Sequence, residues 1–125
     1  MNEIIRYKDV ENRILFLKGC SVLLDFDVAE LYGVETKRVN EAVTRNPDKF
    51  PKEYVISLNC DEKTELVANC DRFEKLKHST VIPKAFTEKG LYMLATILKS
   101  PVATQTTIAI VEVCQGINLW KRSFI

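Results

Sequence analysis

The sequence contains few of the residues whose enrichment marks metal-binding, disulfide-rich or low-complexity proteins, namely histidine, cysteine, glycine and proline. In 125 residues it has one histidine, four cysteines, four glycines and four prolines. Its 18 basic and 17 acidic side chains nearly cancel, so the net charge of +1 indicates neither a nucleic-acid partner nor a membrane surface, and any basic patch must be local. Apolar residues at 46% argue against a disordered chain. The length fits one compact domain over residues 1–125.

The start of the sequence lacks a long apolar run. The first residues, MNEIIRYKDVENR, mix charges of both signs, and the longest early apolar run is Ile14–Leu17. The sequence therefore predicts neither a secretory signal nor a membrane span. We expect a cytoplasmic protein, in which the cysteines stay reduced as thiols.

The cysteines form no metal-binding or redox motif. They are widely scattered and include no CxxC pair. Cys60 and Cys70 with the single histidine, His78, could supply three metal ligands, but buried or half-buried structural thiols explain them more simply. The same interpretation applies to Cys20 and Cys114, so we expect no metal and no cofactor.

No catalytic constellation is visible in the sequence. It has no P-loop, GxSxG, HExxH or GxGxxG motif, and no residue is recognisably placed to orient His78 beside a cysteine nucleophile. The nearest approach to a paired-carboxylate site is Asp25 with Asp27, which helix capping explains better. We therefore expect neither catalytic residues nor a small-molecule substrate, and we do not expect an enzyme.

Several short apolar segments predict a small antiparallel sheet. Residues 13–24 hold two apolar strands around a turn at Lys18-Gly19, which predicts a hairpin. Tyr54–Leu58 is rich in β-forming residues. Residues 81–87 predict a further strand, in which Pro83 implies a sheet edge or a bulge.

Capping residues predict helices in the second half of the chain. Asn59 with Glu62 forms a capping box that opens one helix, and Thr87 caps another. Pro101 fits the first turn of a final helix over residues 101–120. The Thr, Ile and Val content of that last segment leaves a strand as the alternative.

The segment DFDVAELYGVETKRVNEAV is the most specific feature of the sequence, because it predicts two helices around a tight turn. Asp27 with Glu30 forms a capping box that predicts the first helix start, and Gly33 can adopt the positive φ of the turn. A second helix is predicted over residues 35–45, before Asn46-Pro47 stops it.

These two predicted helices have the spacing of a helix-turn-helix. Ala29 is the small residue at which the second helix would cross the first closely, and Gly33 follows four residues later. The apolar positions that would lock the helices together are Val28, Leu31, Val34, Val39 and Ala42 or Val43.

The outward positions of the second helix carry side chains typical of DNA recognition. Arg and Lys can pair with guanine or phosphate, Asn can pair with adenine, and Thr readily contacts phosphate. The alternative is a plain helical hairpin with a merely solvated charged face. The outward residues are Thr36, Lys37, Arg38, Asn40, Glu41, Thr44 and Arg45.

A second basic stretch lies between two predicted strands, where a wing would be. Arg72, Lys75, Lys77 and Lys84 stand there against one acidic residue, Glu74. Phosphate contact is a natural role for such a stretch.

Three ordered motifs resemble one known family. They are the LxxDxAELYGVETKRxNE block, the NxxxFPxxYxxxL continuation and the AFTExGxxML block. With them, residues 14–114 resemble the phage ORF-six N-terminal domain, a relative of the KilA-N and Bro-N domains. The resemblance implies a small DNA-binding module associated with regulators and antirepressors, with Thr36, Lys37, Arg38 and Asn40 on its DNA-reading helix. The segment RFEKLKHSTV is a thinner version of the family's aromatic and basic loop, and we expect no counterpart of the separate C-terminal domain that many relatives carry.

These observations together predict an α+β fold in which a winged-helix-like helix-turn-helix is braced by a small antiparallel sheet and C-terminal helices. The predicted function is duplex DNA binding, as a transcriptional regulator or antirepressor of phage or mobile-element origin. The main alternative is a protein-interaction module that binds another regulatory protein. A nucleic-acid-processing enzyme or toxin is a third class, which lacks support from any motif.

The final segment predicts a homodimer. The only charged residue in 101–120 is Glu112, and apolar side chains lie on more than one side of the predicted helix. A single face packed on the domain core cannot bury all of them. A second copy of the chain would cover the surplus, and the alternative is a fully buried helix in a monomer. The predicted stripes are Ala109, Val113, Ile117 and Trp120 on one side and Ile108, Val111 and Cys114 on another.

Overall fold

The computed structural model describes residues 10–17, 19–69 and 82–123, without the side chains of 66–69 and 114–123. Over these residues the fold is α+β, as predicted, with one four-stranded antiparallel sheet and five helices. The elements are β1 (Leu15–Leu17), β2 (Cys20–Leu24), α1 (Asp25–Tyr32), α2 (Thr36–Arg45), β3 (Val55–Ser57), α3 (Cys60–Asn69), β4 (Lys84–Phe86), α4 (Glu88–Leu98) and α5 (Pro101–Ser123).

The predicted hairpin is confirmed. Strands β1 and β2 are antiparallel, with Leu15 opposite Val22 and Leu17 opposite Cys20. Gly19 takes φ +81 in the connecting turn, a conformation that glycine adopts without steric cost.

The position of β4 corrects the expectation drawn from Pro83. The strand order is β1-β2-β4-β3, so β4 is an internal strand, and its pairing with β3 is regular from Val55 opposite Phe86 to Ser57 opposite Lys84. Pro83 precedes the first strand residue, so its missing N–H removes no hydrogen bond from the ladder. The predicted sheet edge or bulge is therefore wrong.

The start of α1 also differs from its prediction. The helix begins at Asp25 with Leu24 at the N-cap, which has no side-chain cap, because β2 runs directly into the helix. Asp27 lies buried in the first turn with one oxygen 3.4 Å from Nε of Arg13, whose Nη2 donates to Glu30 Oε1 at 2.6 Å. Arg13 thus engages both members of the predicted capping box, and that box is wrong.

The remaining helix caps are confirmed. Asn59 Oδ1 accepts from the Glu62 N–H at 2.8 Å, and Glu62 Oε1 accepts from the Asn59 N–H at 2.9 Å. Thr87 Oγ1 accepts from the Gly90 N–H at 3.3 Å at the start of α4. The segment after Pro101 is a helix, so the strand alternative is wrong.

The core lies between the helices and one face of the sheet. Because successive strand residues point to opposite faces, Leu23 and Phe86 pack with α1, α2, α4 and α5, whereas Leu24 and Ala85 pack with Leu58 on the other face. The ring of Phe50, just after a short 3-10 turn at Pro47–Lys49, meets Phe86 edge to face at 6.4 Å between centroids.

A buried polar contact joins α1 to α4 and α5. The hydroxyl of Tyr32 hydrogen-bonds with Thr107 Oγ1 and lies 3.5 Å from the Leu91 carbonyl oxygen. Burial raises the pKa of Tyr32 to about 12, and the hydrogen bond with Thr107 partly opposes this rise. The end of α1 is therefore anchored on two helices that lie far from it in sequence.

The buried face of α5 differs from both predicted stripes. Ile110 is fully buried although it belongs to neither stripe, and Val111 and Val113 are both buried although they were assigned to different ones. The reason is that Thr106 and Thr107 also face the core, a role that their polarity hides from an apolar pattern. Among the described side chains of the two stripes, Ile108 is exposed; Cys114, Ile117 and Trp120 lie outside the described side chains.

No helix within the described ranges combines the length and apolar character needed to cross a bilayer.

Candidate nucleic-acid interface

A tight left-handed turn joins α1 to α2. Gly33 ends α1 with φ 72 and ψ 31, as its position predicts. The N–H of Val34 donates to the Ala29 carbonyl at 3.0 Å, and the N–H of Gly33 donates to that of Glu30 at 3.3 Å, which satisfies carbonyls at the end of the helix. Glu35 then takes an extended conformation at the N-cap of α2.

Apolar side chains between α1 and α2 fix the face that α2 leaves outward. Val28, Ala29, Val39 and Ala42 are buried, as predicted. Leu31, Val34 and Val43 are partly buried against the same cluster. Because Val39, Ala42 and Val43 occupy one side of α2, its other side is left for solvent or a partner.

The predicted binding residues of α2 all lie away from the core. Lys37, Arg38, Thr44 and Arg45 are exposed, and Thr36, Asn40 and Glu41 are half-buried. At 3.6 residues per turn, Lys37, Glu41 and Thr44 form the centre of this surface, with Arg38 and Arg45 on one flank and Thr36 and Asn40 on the other. We call these seven residues the α2 face.

The basic side chains of the α2 face are available to a partner. Lys37, Arg38 and Arg45 make no ion pair with any residue in the described ranges, where the observed pairs are those of Arg13. An unpaired guanidinium or ammonium group can neutralise a phosphate without first breaking a bond within the protein.

The arginine flank of the α2 face, together with Glu41 from its centre, borders a cleft of about 260 Å³. Arg38, Glu41 and Arg45 line it from α2, and Ile97 and Leu98 line it from the end of α4. The two arginines therefore lie beside the apolar side chains of Ile97 and Leu98 at the end of α4.

The other flank meets the sheet through Lys84. Nζ of Lys84 donates to Asn40 Oδ1 at 3.4 Å, and the backbone N–H of Lys84 donates to Asp25 Oδ2 at 3.4 Å. One residue of the predicted basic stretch is thus brought to the α2 face. Arg72, Lys75 and Lys77 lie outside the described residues.

The described cysteines correct the expectation of buried thiols. Cys20 and Cys60 are free and exposed, since Cys20 begins β2 at the hairpin turn and Cys60 begins α3. Cys70, His78 and the side chain of Cys114 lie outside the described residues.

Sequence comparison gives the family of this fold. The model of the ORF6N domain matches residues 12–97. The chain belongs to the ORF6N domain family. The predicted resemblance is confirmed, and membership indicates a phage-associated protein of the regulatory or DNA-binding type. Neither the curated proteins nor the solved structures gave a match.

The extent of the ORF6N match is informative about the candidate interface. It covers the hairpin, both α1 and α2, and the sheet, and it ends at Ile97 in the last turn of α4. Helix α5 lies outside the match, although the expected resemblance ran to residue 114. The α2 face and Lys84 both lie inside it.

Proposed function

We propose that this ORF6N protein is a sequence-specific duplex DNA-binding regulator without enzymatic activity, acting in the cytoplasm and of phage or mobile-element origin. The observation that carries the proposal is the α2 face, a row of polar and charged side chains with three unpaired basic groups on a helix anchored by its opposite side. The major groove of duplex DNA admits an α-helix of this kind.

The centre of the α2 face and its arginine flank have different proposed roles. Lys37, Glu41 and Thr44 would face base edges, where Lys can donate to guanine and Glu can accept from cytosine. Arg38 and Arg45 on the flank would contact phosphates and fix the orientation of the helix. With α1 and its turn, α2 would then act as a helix-turn-helix.

The basic stretch before β4 is the proposed second contact. Arg72, Lys75 and Lys77 would reach backbone phosphates in the manner of a wing. Lys84, the described member of the stretch and the first residue of β4, lies beside Asn40, so this end of the stretch adjoins the α2 face.

Removal of two basic side chains tests the proposal. We expect Lys37→Ala with Arg38→Ala to weaken duplex binding by about 1–3 kcal/mol per lost contact without loss of the fold. The matched control is Lys52→Ala with Lys89→Ala, which removes the same charge from exposed positions outside α2. Affinity is measured by fluorescence anisotropy, and parent binding should weaken steeply as salt rises. A double variant that binds like the parent would reject α2 as the reading helix.

A protein-interaction module is the second candidate function. The near-neutral charge of +1 suits it, and so do the half-exposed Val102 and Ile108 on α5, outside the family match. The partner would be another regulatory protein, as for an antirepressor. Binding to random duplex DNA at low salt separates the candidates, because a pure interaction module would not bind it.

We also propose a homodimer that reads two half-sites about one DNA turn apart. Ile108 on α5 is 50% exposed and supports an interface there. Sedimentation at micromolar concentration should detect a dimer that Ile108→Glu dissociates. A strictly monomeric parent would contradict the dimer.

A further inference from the structure

Asn40 and Lys84 form a polar pair at the edge of the α2 face. Nζ of Lys84 lies 3.4 Å from Oδ1 of Asn40, and both side chains are half-buried, so the pair is held in place and still reaches the surface. The two residues are 44 positions apart in the chain, and it is the position of β4 inside the sheet that brings Lys84 to α2.

The charge of Lys84 fixes which way the Asn40 carboxamide points. An ammonium group has only donors, so the carboxamide atom that faces it must be the oxygen. The amide nitrogen of Asn40 is then turned away from Lys84, and it donates to no group among the described residues. The pair consequently offers two kinds of donor, an ammonium N–H and an amide N–H, one on each side of the Asn40 amide oxygen.

The positive charge of this pair is not neutralised at close range. The carboxylate of Asp25 accepts a hydrogen bond from the backbone N–H of Lys84 and not from its ammonium group. Within the described ranges, no carboxylate lies within 4 Å of the Lys84 ammonium group. An acceptor-rich partner is therefore favoured at this position.

Two adjacent donors distinguish guanine from adenine. Guanine presents two acceptors in the major groove, N7 and O6, whereas adenine presents the acceptor N7 beside the N6 amino donor. A lone Asn suits adenine because its oxygen can accept from N6. The Lys84 ammonium group takes one of the two lone pairs of that oxygen and repels the partly positive N6 amino group of adenine, so the O6 acceptor of guanine is favoured beside it.

We propose that Asn40 and Lys84 act as one donor pair that specifies guanine in the bound duplex. This inference rests on the proposed DNA-binding function, and it replaces the Asn-to-adenine pairing that the residue type alone suggests. Lys84 is the specificity-determining residue in this account, because its ammonium group favours a base acceptor over a base donor beside the Asn40 carboxamide.

Selection of bound duplexes from a random DNA pool tests the pair. The parent should require guanine at one base pair, by about 10-fold or more over adenine. Lys84→Met, which keeps an unbranched side chain, should lose that preference and shift the position toward adenine, and Lys84→Arg should retain guanine. The matched control is Lys49→Met, which removes one exposed charge outside α2 and should weaken binding without changing any base preference.

A second variant keeps the test decisive if Lys84→Met lowers the melting temperature so far that its DNA binding cannot be measured. Asn40→Asp preserves the side-chain shape but removes the amide donor, so it should also lose the guanine preference. If Lys84→Met weakens binding equally on all sequences, the pair clamps a phosphate and the inference is wrong, although the proposed function stands. If Lys84→Met keeps the parent's preferences, the inference is equally wrong. A parent that selects no sequence would instead overturn the proposed function itself.

Discussion

Gly33 is the residue that sets the path of the chain between α1 and α2. Its φ of 72 is strained for any residue with a Cβ, whereas a Cβ built there meets no atom within 4 Å. We therefore expect Gly33→Val to lose about 1–3 kcal/mol of unfolding free energy through backbone strain alone, and to lose DNA affinity as the helices reorient. Gly33→Asn is the matched control and should lose less, because Asn tolerates this conformation. Thermal melts of equal midpoint for parent and Gly33→Val would contradict the account.

Gly90 is required for a different reason, which is space. A Cβ at this position would overlap the carbonyl oxygen of Tyr54, an atom that also accepts from the Thr87 N–H and hydroxyl, each at 3.1 Å. Gly90→Ala should therefore destabilise the protein by about 1–3 kcal/mol, the usual range for overpacking, despite the better helix propensity of alanine. Denaturant unfolding measures this, with the adjacent exposed Lys89→Ala as control. Equal stability of Gly90→Ala and Lys89→Ala would show that α4 can shift away from Tyr54.

At the scale of elements, the contact of Tyr32 with α4 and α5 predicts a pH effect. The pKa of Tyr32 rises from 10.0 to about 12 in the folded protein, so the folded state holds the proton more tightly than the unfolded state. This stabilisation of about 3 kcal/mol is complete below pH 10 and is lost as the pH rises through 12. Tyr32→Phe should be less stable at neutral pH but should lose less stability over that interval. Parallel pH curves for parent and Tyr32→Phe would contradict a buried, neutral Tyr32; Tyr92→Phe is the exposed control.

The sequence correctly predicted those helix boundaries that depend on residues close by in the chain. The turn at Gly33, the capping box at Asn59 and the cap at Thr87 are each encoded within a few residues, and each is confirmed. The prediction of the start of α1 was wrong because β2 runs directly into the helix and because Arg13, two residues before β1, engages Asp27 and Glu30. A short window of sequence does not contain that partner.

Contacts across the sheet could not be predicted in the same way. Pro83 predicted a sheet edge or a bulge, but strand order is decided by which strands pair, and β4 pairs regularly on both sides. The meeting of Lys84 with Asn40 depends on that same order. The α2 face itself was predictable, because helical periodicity alone separates its outward residues from Val39 and Ala42.

For the whole molecule, the balance of charge is less informative than its placement. The net charge is +1, yet Lys37, Arg38 and Arg45 lie together on one helix without an ion pair to any described residue. Acidic side chains elsewhere, such as Asp27 and Glu30, are paired with Arg13. A local basic surface on a nearly neutral protein favours orientation of a duplex over indiscriminate binding.

Photo-crosslinking tests most directly whether the α2 face contacts duplex DNA. A photoreactive residue is placed at Thr44, at the centre of the α2 face, or at Thr96, which is also exposed but lies on α4. Each protein is irradiated with a labelled duplex taken from the selected pool. We predict a crosslinked complex for the Thr44 position that unlabelled duplex competes away, and little for the Thr96 position. Equal crosslinking at both positions, or crosslinking at Thr96 alone, would contradict the account.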